Sequence, residues 1–185
     1  MISLNNVSFA YKEKPVFENL SLQLENGSKI CFFAESGKGK TTLLSIIMGL
    51  EKPQSGTVGT YGEVFSAVFQ ENRLLPFKTV LNNITLIGAA KDTALYHLSA
   101  LGLGDAVNKY PSELSGGMLR RAALARALSA EYTALILDEP FSGLDSGNIK
   151  TAADHILKSV GKRTIIAVTH SEYEAETLAA KIIRI

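Results

Sequence analysis

Lys29-Ile30-Cys31-Phe32-Phe33-Ala34-Glu35-Ser36-Gly37-Lys38-Gly39-Lys40-Thr41-Thr42 joins an apolar run to a string of small residues and then to a helix-forming segment. Lys29 to Phe33 reads as a strand buried on both faces, the habit of a parallel sheet. Thr41 to Leu50 reads as a helix that ends near Gly49. A buried strand, a Gly-rich loop and a helix in that order are the context that separates a phosphate-binding loop from a chance string. Backbone N–H groups of Ser36, Gly37, Lys38, Gly39 and Thr42 can cradle phosphate oxygens, helped by the partial positive charge of the helix N-terminus. Lys40 is placed to reach the β- and γ-phosphates, and the Thr41 hydroxyl to ligate Mg²⁺. The competing reading is a Gly-rich turn with an exposed lysine. Ala34 stands where such loops usually carry their first glycine, and a positive φ there would cost about 1–2 kcal/mol. A dinucleotide-binding loop is excluded, because no glycine follows three residues after Gly39 and a lysine intrudes.

Outward from this loop the chain alternates strands with helices. Ile2–Leu4, Val7–Phe9 and Leu20–Leu24 have the period of two expected of half-buried strands, and Asn26-Gly27 marks a turn. Pro53, Gly56 and Gly59 punctuate a short β region that continues through Val64–Phe69. Thr79 to Leu103 and Ser115 to Ala130 are expected to be helical, with Ser115 as an N-cap. Strand Ala134–Leu137, helix Ser146–Val160, strand Thr164–Thr169, helix Glu172–Ala180 and strand Lys181–Ile185 follow. The expected fold is α/β: a P-loop NTPase core with a mostly parallel sheet, an N-terminal antiparallel β region and an inserted helical subdomain. In this division one domain spans 1–185, with a β/ATP-binding core at 1–69 and 134–185 and a helical subdomain at about 71–130.

Composition sets the outer limits. Of 185 residues, 46% are apolar and 20% charged, a balance that excludes wholesale disorder. Nineteen Lys and Arg against eighteen Asp and Glu leave +1, with no basic footprint for nucleic acid, so none is expected as a partner. The single Cys31 excludes a disulfide framework and is expected to be a small core hydrophobe. His97, His155 and His170 lie far apart in sequence, and no Cys/His group has zinc-ligand spacing. The apolar run Leu43–Leu50, broken by Ser45, is far short of the roughly 20 residues that cross a bilayer. The opening MISLNNVSFAYKEK lacks the features of a signal peptide, so a cytoplasmic location is expected.

The strand Ala134–Leu137 runs into Asp138-Glu139. A carboxylate at the carboxyl end of a parallel strand near a phosphate loop can hold Mg²⁺, and its neighbour can polarise an attacking water. An acidic helix cap is the plainer alternative, since Pro140 also suits a turn. Leu114-Ser115-Gly116-Gly117-Met118 precedes these carboxylates and leads into the helical Leu119–Leu128. With the phosphate loop, this set resembles the nucleotide-binding subunits of ATP-binding cassette (ABC) transporters over essentially the whole chain. Arg73-Leu74-Leu75-Pro76-Phe77-Lys78-Thr79-Val80 with Asn83-Ile84 is similar to importer ATPases of the nitrate, sulfonate and taurine type. Met118 departs from the commoner glutamine.

The resemblance implies further roles: Tyr11 as the adenine-stacking aromatic, Gln70 as the Q-loop glutamine touching Mg²⁺, Asp145 in the D-loop, and His170 as the switch histidine at the γ-phosphate. It makes Glu139 the group that activates water and gives Mg²⁺ the ligands Thr41, Gln70 and Asp138. It also implies a head-to-tail dimer with a second ABC subunit, in which Ser115, Gly116 and Gly117 close over the partner's ATP. A separate transmembrane permease, docked near Leu74–Phe77, is expected, and an extracytoplasmic binding protein beyond it. The chain would then sit on the cytoplasmic face of the cell membrane, as an ATPase that powers import. A non-transport ABC-type ATPase and a nucleotide-binding member with little turnover are the alternatives. Plainer roles stand beside these: a strand-end aromatic for Tyr11, a core histidine for His170, and a solvated helix face for Arg120, Arg121 and Arg126.

Overall fold

A computed structural model describes residues 1–12, 14–33 and 39–184. Strands β1 (Ile2–Tyr11), β2 (Lys14–Leu24) and β4 (Ser55–Gly59) form an antiparallel sheet in the order β2-β1-β4. A parallel sheet of β3 (Lys29–Phe33), β5 (Phe65–Val68), β6 (Ala134–Asp138), β7 (Thr164–Thr169) and β8 (Lys181–Arg184) runs in the order β5-β6-β7-β3-β8. The two segments read as Ile2–Leu4 and Val7–Phe9 are one strand. Its buried residues shift phase, from Ile2 and Leu4 to Val7 and Phe9, because a bulge with Asn6 at φ 49° inserts one residue. Gly56 lies across from that bulge at φ 83°, where a Cβ would come within 2.4 Å of the Asn6 carbonyl oxygen. The β region read as continuous after Pro53 also divides, with β4 in one sheet and β5 in the other.

Strands β6 and β7 are buried along their whole length, so each side chain faces one of two cores. Ile136, Ile166 and Val168 pack with helix α1 (Lys40–Ile47) and the inner face of the antiparallel sheet. Leu135, Leu137, Ile165 and Ala167 face the opposite core, shared with the remaining helices. Cys31 lies there as a packed hydrophobe, with burial pushing its thiol up to about 11.

After Val68 the chain leaves the parallel sheet and rejoins it at Ala134. In between lie α2 (Val80–Thr85), α3 (Lys91–Ala100) and α4 (Gly116–Ser129). The uninterrupted helix expected over Thr79–Leu103 is broken by Gly88, whose φ of 88° no helix accommodates. Ser66 donates from its hydroxyl to the Ala127 carbonyl at 2.8 Å, tying β5 to α4. Helices α5 (Ser146–Val160) and α6 (Glu172–Thr177) cover the same face, α6 ending earlier than expected. Among the described residues no helix is long and apolar enough to cross a membrane.

Candidate functional site

The carboxyl ends of β3, β5, β6 and β7 meet at one edge of the parallel sheet, where open α/β folds hold their ligands. Ala34, Ser36, Gly37 and Lys38 lie outside the described residues. Gly39 caps α1 at φ 83°, and a Cβ on it would stand 2.2 Å from Val16 Cγ1. Only glycine fits that pose, and it turns the chain so that Lys40 opens the helix.

Lys40 is buried, with its Nζ 3.9 Å from Glu139 Oε1. The Thr41 hydroxyl donates to Asp138 Oδ2 at 2.8 Å, and the Thr42 hydroxyl donates to Tyr11 Oη at 3.4 Å. Tyr11 leaves half its surface in solvent, and its ring stands edge-on to Phe9 with centroids 4.9 Å apart. These residues and Gln70 line a cleft of about 900 Å³ floored by Asp138 and Glu139.

The two carboxylates differ in environment. Asp138 is buried, and desolvation raises its pKa above the ordinary carboxylate value; the Thr41 hydroxyl opposes that shift and the Glu139 charge adds to it. Glu139 follows at φ 48°, its N–H donating to the Val168 carbonyl at 2.9 Å. The left-handed bend turns its side chain toward His170, whose Nδ1 lies 2.9 Å from Glu139 Oε2. His170 stands at the end of β7 with its ring largely exposed. Lys40, Thr41, Asp138, Glu139 and His170, far apart in sequence, therefore converge.

Ser115, Gly116, Gly117 and Asp145 do not line this cleft. Ser115 caps α4, its hydroxyl accepting from the Met118 N–H at 3.3 Å. Gly116 faces open space, whereas a Cβ on Gly117 would meet the Gly143 carbonyl oxygen and Leu144 at 3.2 Å. The segment before α5 thus packs against the start of α4. Asp145 caps α5, accepting from the Asn148 N–H at 2.9 Å and side-chain amide at 2.6 Å, and these bonds lower its pKa.

A solvated face for the arginines of α4 is not what the structure shows. Arg120 is 2% exposed and donates to backbone carbonyls of Phe69, Gln70, Asp138, Glu139 and Pro140. Arg126 donates to the Arg73 and Asn72 carbonyls, and Arg121 to that of Leu101. Nothing local distinguishes such an arginine from a surface one, since its acceptors lie up to 54 residues away in sequence. His97 and His155, distant in sequence, are buried against each other with His97 Nδ1 2.8 Å from His155 Nε2.

Comparison with known proteins gives this geometry its context. The family model described as ABC transporter matches residues 17–142. The ergothioneine transport ATP-binding protein EgtV of Helicobacter pylori (strain G27) is 37% identical, the match covering 100% of this chain and 97% of that protein. The aliphatic sulfonates import ATP-binding protein SsuB 1 of Rhodococcus jostii (strain RHA1) is 39% identical over 98% of this chain and 78% of its own length. Among solved structures, the ATP-binding cassette MJ0796, a dimer in a post-hydrolysis state bound to ADP and Pi, superposes with a TM-score of 0.90. It is 28% identical, and the match covers 100% of this chain and 94% of that one. A match of this extent, from β2 through both carboxylates at the end of β6, means that the chain belongs to the ABC transporter family, as one of its ATP-binding subunits.

Proposed function

We propose that the chain is the ATP-hydrolysing subunit of an importer and works as a pair on a separate transmembrane permease. The observation that carries this reading is the meeting of Lys40 and Glu139 in the cleft, with His170 2.9 Å from Glu139 and the Thr41–Asp138 hydrogen bond beside them. In this reading residues 1–69 and 134–185 are the ATP-binding core, and about 71–130 the helical subdomain. Tyr11 offers its exposed ring to adenine. Lys40, Gly39 and the amides opening α1, with Ser36, Gly37, Lys38 and Thr42, take the phosphates.

Thr41 and Asp138, with Gln70, would hold Mg²⁺. The fit rests on donor chemistry: a hydroxyl and a carboxylate oxygen 2.8 Å apart are hard oxygen donors, and the carboxyl is desolvated at the carboxyl end of its strand. Among the described residues no group of three or more His, Cys, Asp and Glu could hold a metal, so phosphate and water would supply the other ligands. When bound, the ion neutralises phosphate charge.

Glu139 accepts a hydrogen bond from the attacking water and draws its proton. His170 orients that carboxylate through the 2.9 Å contact and presents its other ring nitrogen outward, toward the γ-phosphate. Ser115, Gly116 and Gly117, set apart from this cleft on an open helix end, take the γ-phosphate of the ATP held by the partner, with Asp145 fixing the adjoining loop. Loss of that phosphate removes the bridge between subunits.

The permease would meet an apolar groove of about 390 Å³ lined by Met48, Leu50, Phe65, Phe69, Ile87 and Ala130, in which Leu50 and Ile87 are exposed. Beside it stands the loop carrying exposed Leu75 and Phe77, held by Asn83, whose amide oxygen accepts from the Leu75 N–H at 2.7 Å. Leu74 instead packs inward. The chain would lie on the cytoplasmic side of the membrane, and an extracytoplasmic binding protein would deliver the solute.

Glu139→Gln tests the reading. It keeps shape and removes the base, so ATP binding persists, hydrolysis falls by about 100-fold or more, and Mg-ATP traps a dimer. Size-exclusion chromatography with Mg-ATP and a phosphate-release assay check this. A mutant that stays monomeric or hydrolyses at the wild-type rate removes Glu139 from the role.

A further inference from the structure

Arg120 is a buried cation that, among the described residues, forms no ion pair with a carboxylate. Its donors reach two places. Nη1 donates to the carbonyls of Phe69 and Gln70 and to Asn72 Oδ1, at the end of β5. Nη2 donates to the carbonyls of Asp138 and Glu139, and Nε to that of Pro140 at 3.2 Å, at the end of β6. The positive φ of Glu139 takes the backbone out of strand geometry, so carbonyls there need partners from outside the sheet. A planar guanidinium with five fixed donors meets that need; an ammonium with three donors on one atom cannot reach both strand ends at once. Burial lowers the Arg120 pKa, and the charges of Asp138, Glu139 and Glu174 oppose that loss.

We propose that Arg120 is a positioning residue for hydrolysis: it pins the backbone on both sides of Glu139 and at Gln70, so that their side chains are held toward the nucleotide. Because Arg120 rides on α4, the same residue links that pose to Ser115, Gly116 and Gly117 at the start of the helix. One protomer's contact with the other's ATP is thereby tied to the geometry of its own water-activating group. The proposal rests on Glu139 having that function.

The test uses the purified full chain and its Arg120→Gln and Arg120→Lys variants. Active sites are counted by titration with a fluorescent ATP analogue, so that unfolded protein does not lower the apparent rate. Misplacing a reacting group by about 1 Å costs on the order of 100-fold. Arg120→Gln is therefore expected to lose about 10- to 100-fold in kcat per titrated site while KM for ATP changes less than about threefold, since Lys40, Thr41 and Tyr11 are untouched. Arg120→Lys, keeping charge but not the fork, is expected to fall between Arg120→Gln and wild type. Wild-type kcat per site in a folded Arg120→Gln overturns the proposal, as does a loss that follows nucleotide binding and thermal stability in parallel. If Arg120→Gln does not fold, wild-type kcat in Arg120→Lys overturns it. Glu139→Gln run alongside separates the failures. Its retaining hydrolysis brings down the underlying reading, whereas its inactivity beside unimpaired Arg120 variants brings down this proposal alone.

Discussion

Gly39 shows how a single backbone pose governs where Lys40 and Thr41 stand. At φ 83° any other residue is strained by about 1–2 kcal/mol, and here a Cβ would also drive into Val16 Cγ1 at 2.2 Å. Gly39→Ala must displace the Val16 side chain or rotate the start of α1, and such a rotation carries Lys40 and Thr41 away from the phosphate positions proposed above. ATP affinity is expected to fall at least about 10-fold in a chain that still folds, measurable by titration with a fluorescent analogue. Gly39, Lys40, Asp138 and Glu139 were legible in the sequence because each sits where a strand gives way to a turn or helix, a local pattern. The φ of 48° at Glu139 was not, and neither was the burial of Arg120, whose environment comes from two strand ends remote in the chain.

Elements were legible where both ends carry a signal. Helix α5 spans Ser146–Val160 as expected, because Asp145 caps one end and Gly161, at φ 59°, stops the other. The expected helix over Thr79–Leu103 failed at Gly88, since apolar spacing persists across a break that glycine imposes. The contact between α3 and α5 was illegible: His97 and His155 meet only after folding. Their rings share one hydrogen bond, one donating and one accepting, with Tyr96 edge-on to His97 at 5.1 Å between centroids and the Lys158 charge acting on His155. Desolvation, aided by the other ring, lowers His97 to about 4, and desolvation then Lys158 lower His155. Both are bases charged more readily when unfolded, so the unfolded chain binds more protons below the ordinary histidine value near 6.5. Stability is therefore full above pH 6.5 and falls as pH drops toward 4. Urea unfolding at stepped pH should show that loss, and His97→Gln should flatten it. A wild-type curve no steeper than that of His97→Gln would remove the pair as the cause.

At the scale of the molecule, the proposed function gives the chain half of two sites rather than one whole one. The cleft by Lys40 opens to solvent, and the start of α4 lies outside it with Gly116 facing open space. In the proposed arrangement a second subunit placed head to tail would complete both; the MJ0796 cassette, to which the fold is similar, is itself a dimer. Gly116 allows a test in which stability and function move in opposite directions. A Cβ there meets no neighbour, and a negative charge in the first turn of α4 stabilises a helix by about 0.3–1 kcal/mol. In the isolated chain Gly116→Asp is thus expected to hold or slightly raise Tm and to bind ATP normally through Lys40, Thr41 and Tyr11. Facing a partner's triphosphate, the same carboxylate repels. Placed in the Glu139→Gln background, it should abolish the Mg-ATP dimer seen by size-exclusion chromatography, and alone it should abolish hydrolysis while nucleotide titrations stay unchanged. A Gly116→Asp chain that dimerises with Mg-ATP as readily as its parent would mean that this helix end never meets the partner's nucleotide. Both sites would then have to be completed by some other surface.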